Sequence, residues 1–95
     1  MTERTRISLR LYVAGDAPNS QIAVERLRAF CAAHLADEYR LEIVDIIREP
    51  GRALADRVLL TPTLVKLEPA PVRTIIGNLS ESEVLARVLG VEGGT

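Results

Sequence analysis

Between residues 7 and 47 the hydrophobic period changes twice, and this limits the possible folds more than any other property of the chain. Ile7, Leu9, Leu11 and Val13 alternate with Ser8, Arg10 and Tyr12, the pattern of a strand whose two faces meet different surroundings. Ala14-Gly15-Asp16-Ala17-Pro18-Asn19-Ser20 interrupts it with turn and cap formers. Asn19 or Ser20 is expected to accept the free amides at a helix start, with Pro18 tolerated beside it. Ala23, Leu27, Phe30, Cys31 and Leu35 then fall at helical spacing, and Gln21, Glu25 and Arg28 take the opposite face. After the polar connection 37–40, Leu41-Glu42-Ile43-Val44-Asp45-Ile46-Ile47 is β-branched and mostly apolar, as a buried strand should be. Strand, helix and strand with short links make a βαβ unit, with parallel strands and a right-handed crossover.

The second half carries weaker signals. Glu49-Pro50-Gly51 punctuates the chain, and residues 52–60 place Leu54, Val58 and Leu59 at the spacing of a short helix. Thr63-Leu64-Val65-Lys66-Leu67 and Val72-Arg73-Thr74-Ile75-Ile76 read as strands joined by the hairpin loop Glu68-Pro69-Ala70-Pro71. Gly77-Asn78 turns the chain. Ser80-Glu81-Ser82-Glu83 then has the form of a capping box, with Leu79 and Val84 placed for a hydrophobic staple. Val84, Leu85, Val88 and Leu89 form a buried stripe, and Gly90 is a natural stop. The order β-α-β-α-β-β-α predicts an α/β fold of the thioredoxin plan, a mixed four-stranded sheet with helices on its faces. Ninety-five residues suffice for one domain, with a core over about residues 7–89, and leave no room for a second.

Composition excludes several functions. The only aromatic residues are Tyr12, Phe30 and Tyr39, too few for the stacking platforms of a nucleic-acid binder. The net charge is −1 with both signs interspersed, so no basic block marks a phosphate-backbone footprint. No apolar run approaches membrane-spanning length and the N-terminus lacks the apolar core of a signal peptide, so the expected location is the cytoplasm.

Nothing in the chain points to catalysis, a cofactor or a metal. Cys31 is the only cysteine; it lies on the apolar stripe of the first helix, not at the helix start where a redox thiol would gain its low pKa. No Cys or His pair has metal-ligand spacing. His34 near the helix end suits the dipole there, Ser20 is explained by capping, and Asp45 lacks a second carboxylate at useful spacing. Gly15 and Gly77 stand singly, not in a phosphate loop. Thr61-Pro62, directly before the third strand, is expected to be cis.

Three stretches together resemble the KaiB family: Leu11-Tyr12-Val13-Ala14-Gly15-Asp16-Ala17-Pro18-Asn19-Ser20, Thr61-Pro62-Thr63-Leu64-Val65-Lys66, and Pro71-Val72-Arg73-Thr74-Ile75-Ile76-Gly77-Asn78-Leu79-Ser80. Their spacing agrees, and the resemblance covers about residues 7–89. It implies a clock-type regulator that binds the N-terminal ATPase ring of a KaiC-like kinase and can recruit KaiA. It also implies a second state, a tetrameric ground state in which the C-terminal half is rebuilt. Competing expectations are a thioredoxin-like redox or stress-response protein and a KaiC-independent homo-oligomer. The last helix departs from the family pattern, carrying Arg87-Val88-Leu89-Gly90 where Ile-Gly-Leu-Asp is common. Val88 in place of a mid-helix glycine favours the helix, and with it a thioredoxin-like monomer over the tetramer. The second strand should lie at a sheet edge, open to a partner strand. Arg40 and Glu42 on it, and the basic residues Arg48, Arg52, Arg57, Lys66 and Arg73, are the candidate contacts.

Overall fold

The computed structural model describes residues 6–35 and 38–90. The elements are β1 (Ile7–Val13), α1 (Pro18–His34), β2 (Tyr39–Asp45), α2 (Pro50–Ala55), β3 (Thr63–Glu68), β4 (Arg73–Ile76) and α3 (Ser82–Leu89). The strands form one sheet in the order β2-β1-β3-β4. β1 runs parallel to β2 and antiparallel to β3, and β3 is antiparallel to β4.

The alternation in β1 divides the core in two. Leu9, Leu11 and Val13 face α1 and α3, where they meet Ala23, Leu27, Cys31, Leu64, Leu79, Leu85 and Leu89. Tyr12 points to the other face and packs with Val44, Ala53 and Val65 beneath α2. With so few aromatic side chains, aliphatic packing at about 25 cal/mol per Å² of buried apolar surface carries most of the stability.

Four local expectations are corrected. α1 begins at Pro18 and is capped by neither Asn19 nor Ser20; Ala17 is the N-cap. Proline suits the first helical turn because its missing N–H has no partner there anyway. Ser20 is instead 2% exposed, and its Oγ accepts the Ala14 N–H at 3.1 Å, which fastens the β1–α1 turn to the helix.

β2 spans Tyr39–Asp45 and ends short of Ile46 and Ile47. The Asp45 carboxylate accepts the backbone N–H of Ile47 at 2.9 Å and of Gly15 at 3.1 Å, turning the chain before the apolar run is complete. Only Val44 of this strand is fully buried, because β2 is an edge strand and not a central one.

α2 is shorter than its apolar spacing suggests. The chain leaves the helix at Asp56, and Arg57 adopts a left-handed φ of 59°. Ala53 therefore supplies the buried contact, while Leu54 and Leu59 are 73% and 87% exposed. Finally, no capping box forms at α3: Glu81 is the N-cap, without a side-chain hydrogen bond, and Ser80 is exposed. Leu79 turns inward with a φ of 63° to pack beside Leu85 and Leu89. At the other end Gly90, with φ 77°, closes the helix, and its N–H reaches the Ala86 and Arg87 carbonyls.

Candidate functional site

Two strands and one short helix bring charged side chains together on the α2 face of the sheet. Arg10 on β1 is in register with Glu42 on β2, so parallel pairing alone places the two side by side. Arg10 Nε donates to Glu42 Oε1 at 2.9 Å, and its Nη1 donates to Asp56 Oδ2 at 2.9 Å. Arg52 on α2 donates to the same Glu42 oxygen at 2.8 Å and lies 3.7 Å from Glu49. Below them the Tyr12 hydroxyl donates to the Asp56 carboxylate and sits 3.2 Å from the Arg52 carbonyl oxygen. One lattice of hydrogen bonds thus joins β1, β2, α2 and the residue that ends α2.

The lattice perturbs its members in a consistent sense. Hydrogen bonds from Arg52 and then Arg10 hold the Glu42 carboxyl down at about 2. Those from Tyr12 and then Arg10 lower Asp56. Burial, followed by the Asp56 carboxylate, raises Tyr12. Because the Glu42 side chain is 46% exposed, water screens each pair, and no single one contributes much to stability. Their joint effect is to hold α2 and the β2 edge in one arrangement.

The structure separates the candidate residues. Arg40 and Glu42 share this face of β2, Arg40 opposite Ser8. Arg52 belongs to the lattice. Arg48, in the turn after β2, and Arg57, after α2, are exposed and make no ion pair among the described residues. Arg73 is exposed on β4, at the far edge of the sheet. Lys66 does not belong with them: it is 5% exposed, and its Nζ donates to the carbonyls of Pro69 and Pro71. Its charge closes the β3–β4 loop and is not presented to a partner.

Sequence reasoning misses the lattice members Arg10, Tyr12 and Asp56. Arg10 becomes visible once the β1–β2 register is assigned, but Asp56 carries no signal because it lies where α2 unexpectedly stops.

Most of the family-motif residues gather where the N-terminal ends of α1 and β3 meet the end of β4. Gly15 has a φ of 51°, and a Cβ added there would lie 3.3 Å from Ile47 Cδ1, so both the backbone and the space favour glycine. Asn19 Oδ1 accepts from Asn78 Nδ2 at 3.4 Å. The Thr61–Pro62 peptide bond is cis. Thr63 Oγ1 donates to the Leu60 carbonyl, and the Gly77 N–H donates to the Pro62 carbonyl at 2.9 Å. Val88 packs partly buried against the main core. Cys31 is fully buried, and burial pushes its thiol up to about 11.

Residues 10–91 match the family model of the KaiB domain. The chain belongs to the KaiB family. The KaiB relatives include the circadian clock oscillator protein KaiB of Prochlorococcus marinus, 45% identical over 87% of this chain and 70% of that protein. The circadian clock protein KaiB3 of Synechocystis sp. is 40% identical over 85% of this chain and 79% of that protein. Among solved structures, the N-terminal domain of Synechococcus elongatus SasA superposes with a TM-score of 0.76 at 24% identity, covering 100% of this chain and 93% of that one. Fasciola hepatica thioredoxin superposes at 0.74 and 15% identity, covering 92% and 82%. The chain therefore has a thioredoxin-like α/β fold. The KaiB match takes in the whole lattice, from Arg10 to Asp56.

Proposed function

We propose that this KaiB-family protein is a non-catalytic cytoplasmic regulator that docks on the N-terminal ATPase ring of a KaiC-like kinase and there recruits KaiA. The observation that carries this reading is the β2 edge. One flank of β2 pairs with β1, the other has no strand beside it among the described residues, and the Arg10–Glu42–Arg52 lattice holds it rigid. A stiff open edge recognises an extended segment through main-chain hydrogen bonds, while side chains such as Arg40 supply selectivity. Membership in a family of circadian clock proteins supports a regulatory role. The redox alternative is disfavoured by the buried, protonated Cys31 thiol, since only an accessible thiolate attacks a disulfide.

A pull-down against the cognate KaiC-like ATPase, with and without phosphomimetic changes, tests the proposal. Wild-type protein is expected to be retained by at least one form, and Arg40→Glu to be retained less. Failure to bind any form, or turnover in an insulin-reduction assay that disappears in Cys31→Ser, would overturn it.

A further inference from the structure

Among the described residues, two that are not glycine take a left-handed backbone conformation: Arg57 with a φ of 59° and Leu79 with a φ of 63°. A Cβ is crowded there, so glycine holds such a position with least strain. At Leu79 the strain is offset within the molecule, because the side chain is 6% exposed and packs beside Leu85 and Leu89. At Arg57 no such offset exists. Its side chain is exposed and makes no ion pair or hydrogen bond among the described residues.

The local backbone explains why a left-handed residue stands at this position, but not why it is an arginine. The Arg57 N–H donates to the Leu54 carbonyl at 3.0 Å and the Val58 N–H to the Ala53 carbonyl at 2.8 Å. These are the paired bonds of a Schellman ending, in which the left-handed residue is usually glycine. The apolar contact that goes with the motif is also present, since Val58 packs against the cluster that contains Ala53. The helix dipole is a weak reason for a cation, because α2 has six residues and Arg52 already lies in its last turn.

The neighbours of Arg57 depart from stability rules as well: Leu54, Leu59 and Leu60 are all exposed. Backbone strain and misplaced apolar side chains concentrate where a chain serves binding at the expense of stability. Asp56, bonded to Arg10 and Tyr12, fixes the position of Arg57 relative to the lattice and so to β2.

We infer that the Arg57 side chain is the charged anchor of partner binding, its guanidinium taking a carboxylate of the KaiC-like ATPase within the apolar surround of Leu54, Leu59 and Leu60. The inference rests on the docking proposed above and adds the residue and the chemistry it reads: an acidic group set in an apolar partner surface. A guanidinium holds a carboxylate through two parallel hydrogen bonds, and an apolar rim keeps water from weakening them. The cost to the fold and the gain in binding then reside in one side chain, the first in its Cβ and the second in its guanidinium, so substitution separates them.

Urea unfolding and titration with the cognate KaiC-like ATPase, on the same variants, test the inference. Arg57→Gly is expected to raise the folding equilibrium constant about fivefold, by relieving the left-handed strain, and to raise the Kd for the ATPase about tenfold or more. Weaker binding by a more stable variant does not come from unfolding. Arg57→Ala keeps the strain and removes the guanidinium, so it should weaken binding as much with no gain in stability. Arg57→Lys keeps the charge without the planar fork and should fall between alanine and wild type. Arg57→Gly that binds as tightly as wild type overturns the inference and leaves the proposed function standing. Arg57→Gly that is no more stable than wild type also overturns it, since the arginine would then cost the fold nothing. Wild-type protein that binds no form of the ATPase overturns the proposed function, and the inference falls with it.

Discussion

At the residue scale, the side chains that organise the α2 face act through position more than through strength. Glu42 shows this most clearly. Its carboxyl is held at about 2, against an ordinary value of 4.5, so the folded protein binds that proton less readily than the unfolded chain. The stabilisation is present above the unfolded pKa and is lost as pH falls from 4.5 toward 2. Glu42→Gln should therefore flatten the acid limb of the pH–stability curve in that window, measured by urea unfolding. The difference at neutral pH should be only a fraction of a kcal/mol, because the pair is solvent-screened. Tyr12→Phe should cost more, about 1 kcal/mol at neutral pH. It removes the hydroxyl that donates to Asp56 from a fully buried ring, and thermal unfolding would read the loss. If Tyr12→Phe left stability unchanged, the lattice would not be what fastens α2.

At the element scale, the first half of the chain is legible in the sequence and the second only in outline. β1, α1 and β2 lie where period-two and helical spacing place them, because each buries a face against a neighbour close in sequence. Their ends differ: Ser20 and Asp45 commit their oxygens to tertiary hydrogen bonds, which local propensity does not reveal. The apolar spacing of α2 misleads because Leu54 and Leu59 keep helical spacing yet lie outward. α3 forms where its apolar stripe predicts, although the capping box before it does not. Its stability rests instead on Leu85 and Leu89 in the core and on Gly90 at its end. Val88→Gly should weaken α3 by about 0.4 kcal/mol in helix propensity alone, with further loss from the partly buried valine side chain. A change near 1.4 kcal/mol alters a two-state population about tenfold. Amide exchange across residues 82–89 should quicken accordingly, while exchange in β1 should not.

At the scale of the whole molecule, the thioredoxin-like arrangement should dominate in solution, monomeric at low concentration. Two packings of one sequence need differ by only a few kcal/mol, and oligomer formation favours whichever state it buries. NMR assignment of residues 50–90 together with light scattering is the measurement. A tetramer at micromolar concentration with residues 81–89 in a strand would contradict the expectation. Periodicity and short connections, both local properties, are enough to specify the βαβ unit, the order of the later elements, the family motifs and the confinement of Cys31 to the core. They do not reach the burial of Lys66 in the β3–β4 loop or the lattice shared by Arg10, Glu42, Arg52 and Asp56. The lattice is settled by the β1–β2 register and by where α2 stops, between residues distant in sequence, and a shift of one residue in that register would send every side chain to the other face; Lys66 is settled by the hairpin loop folding its carbonyls around the ammonium.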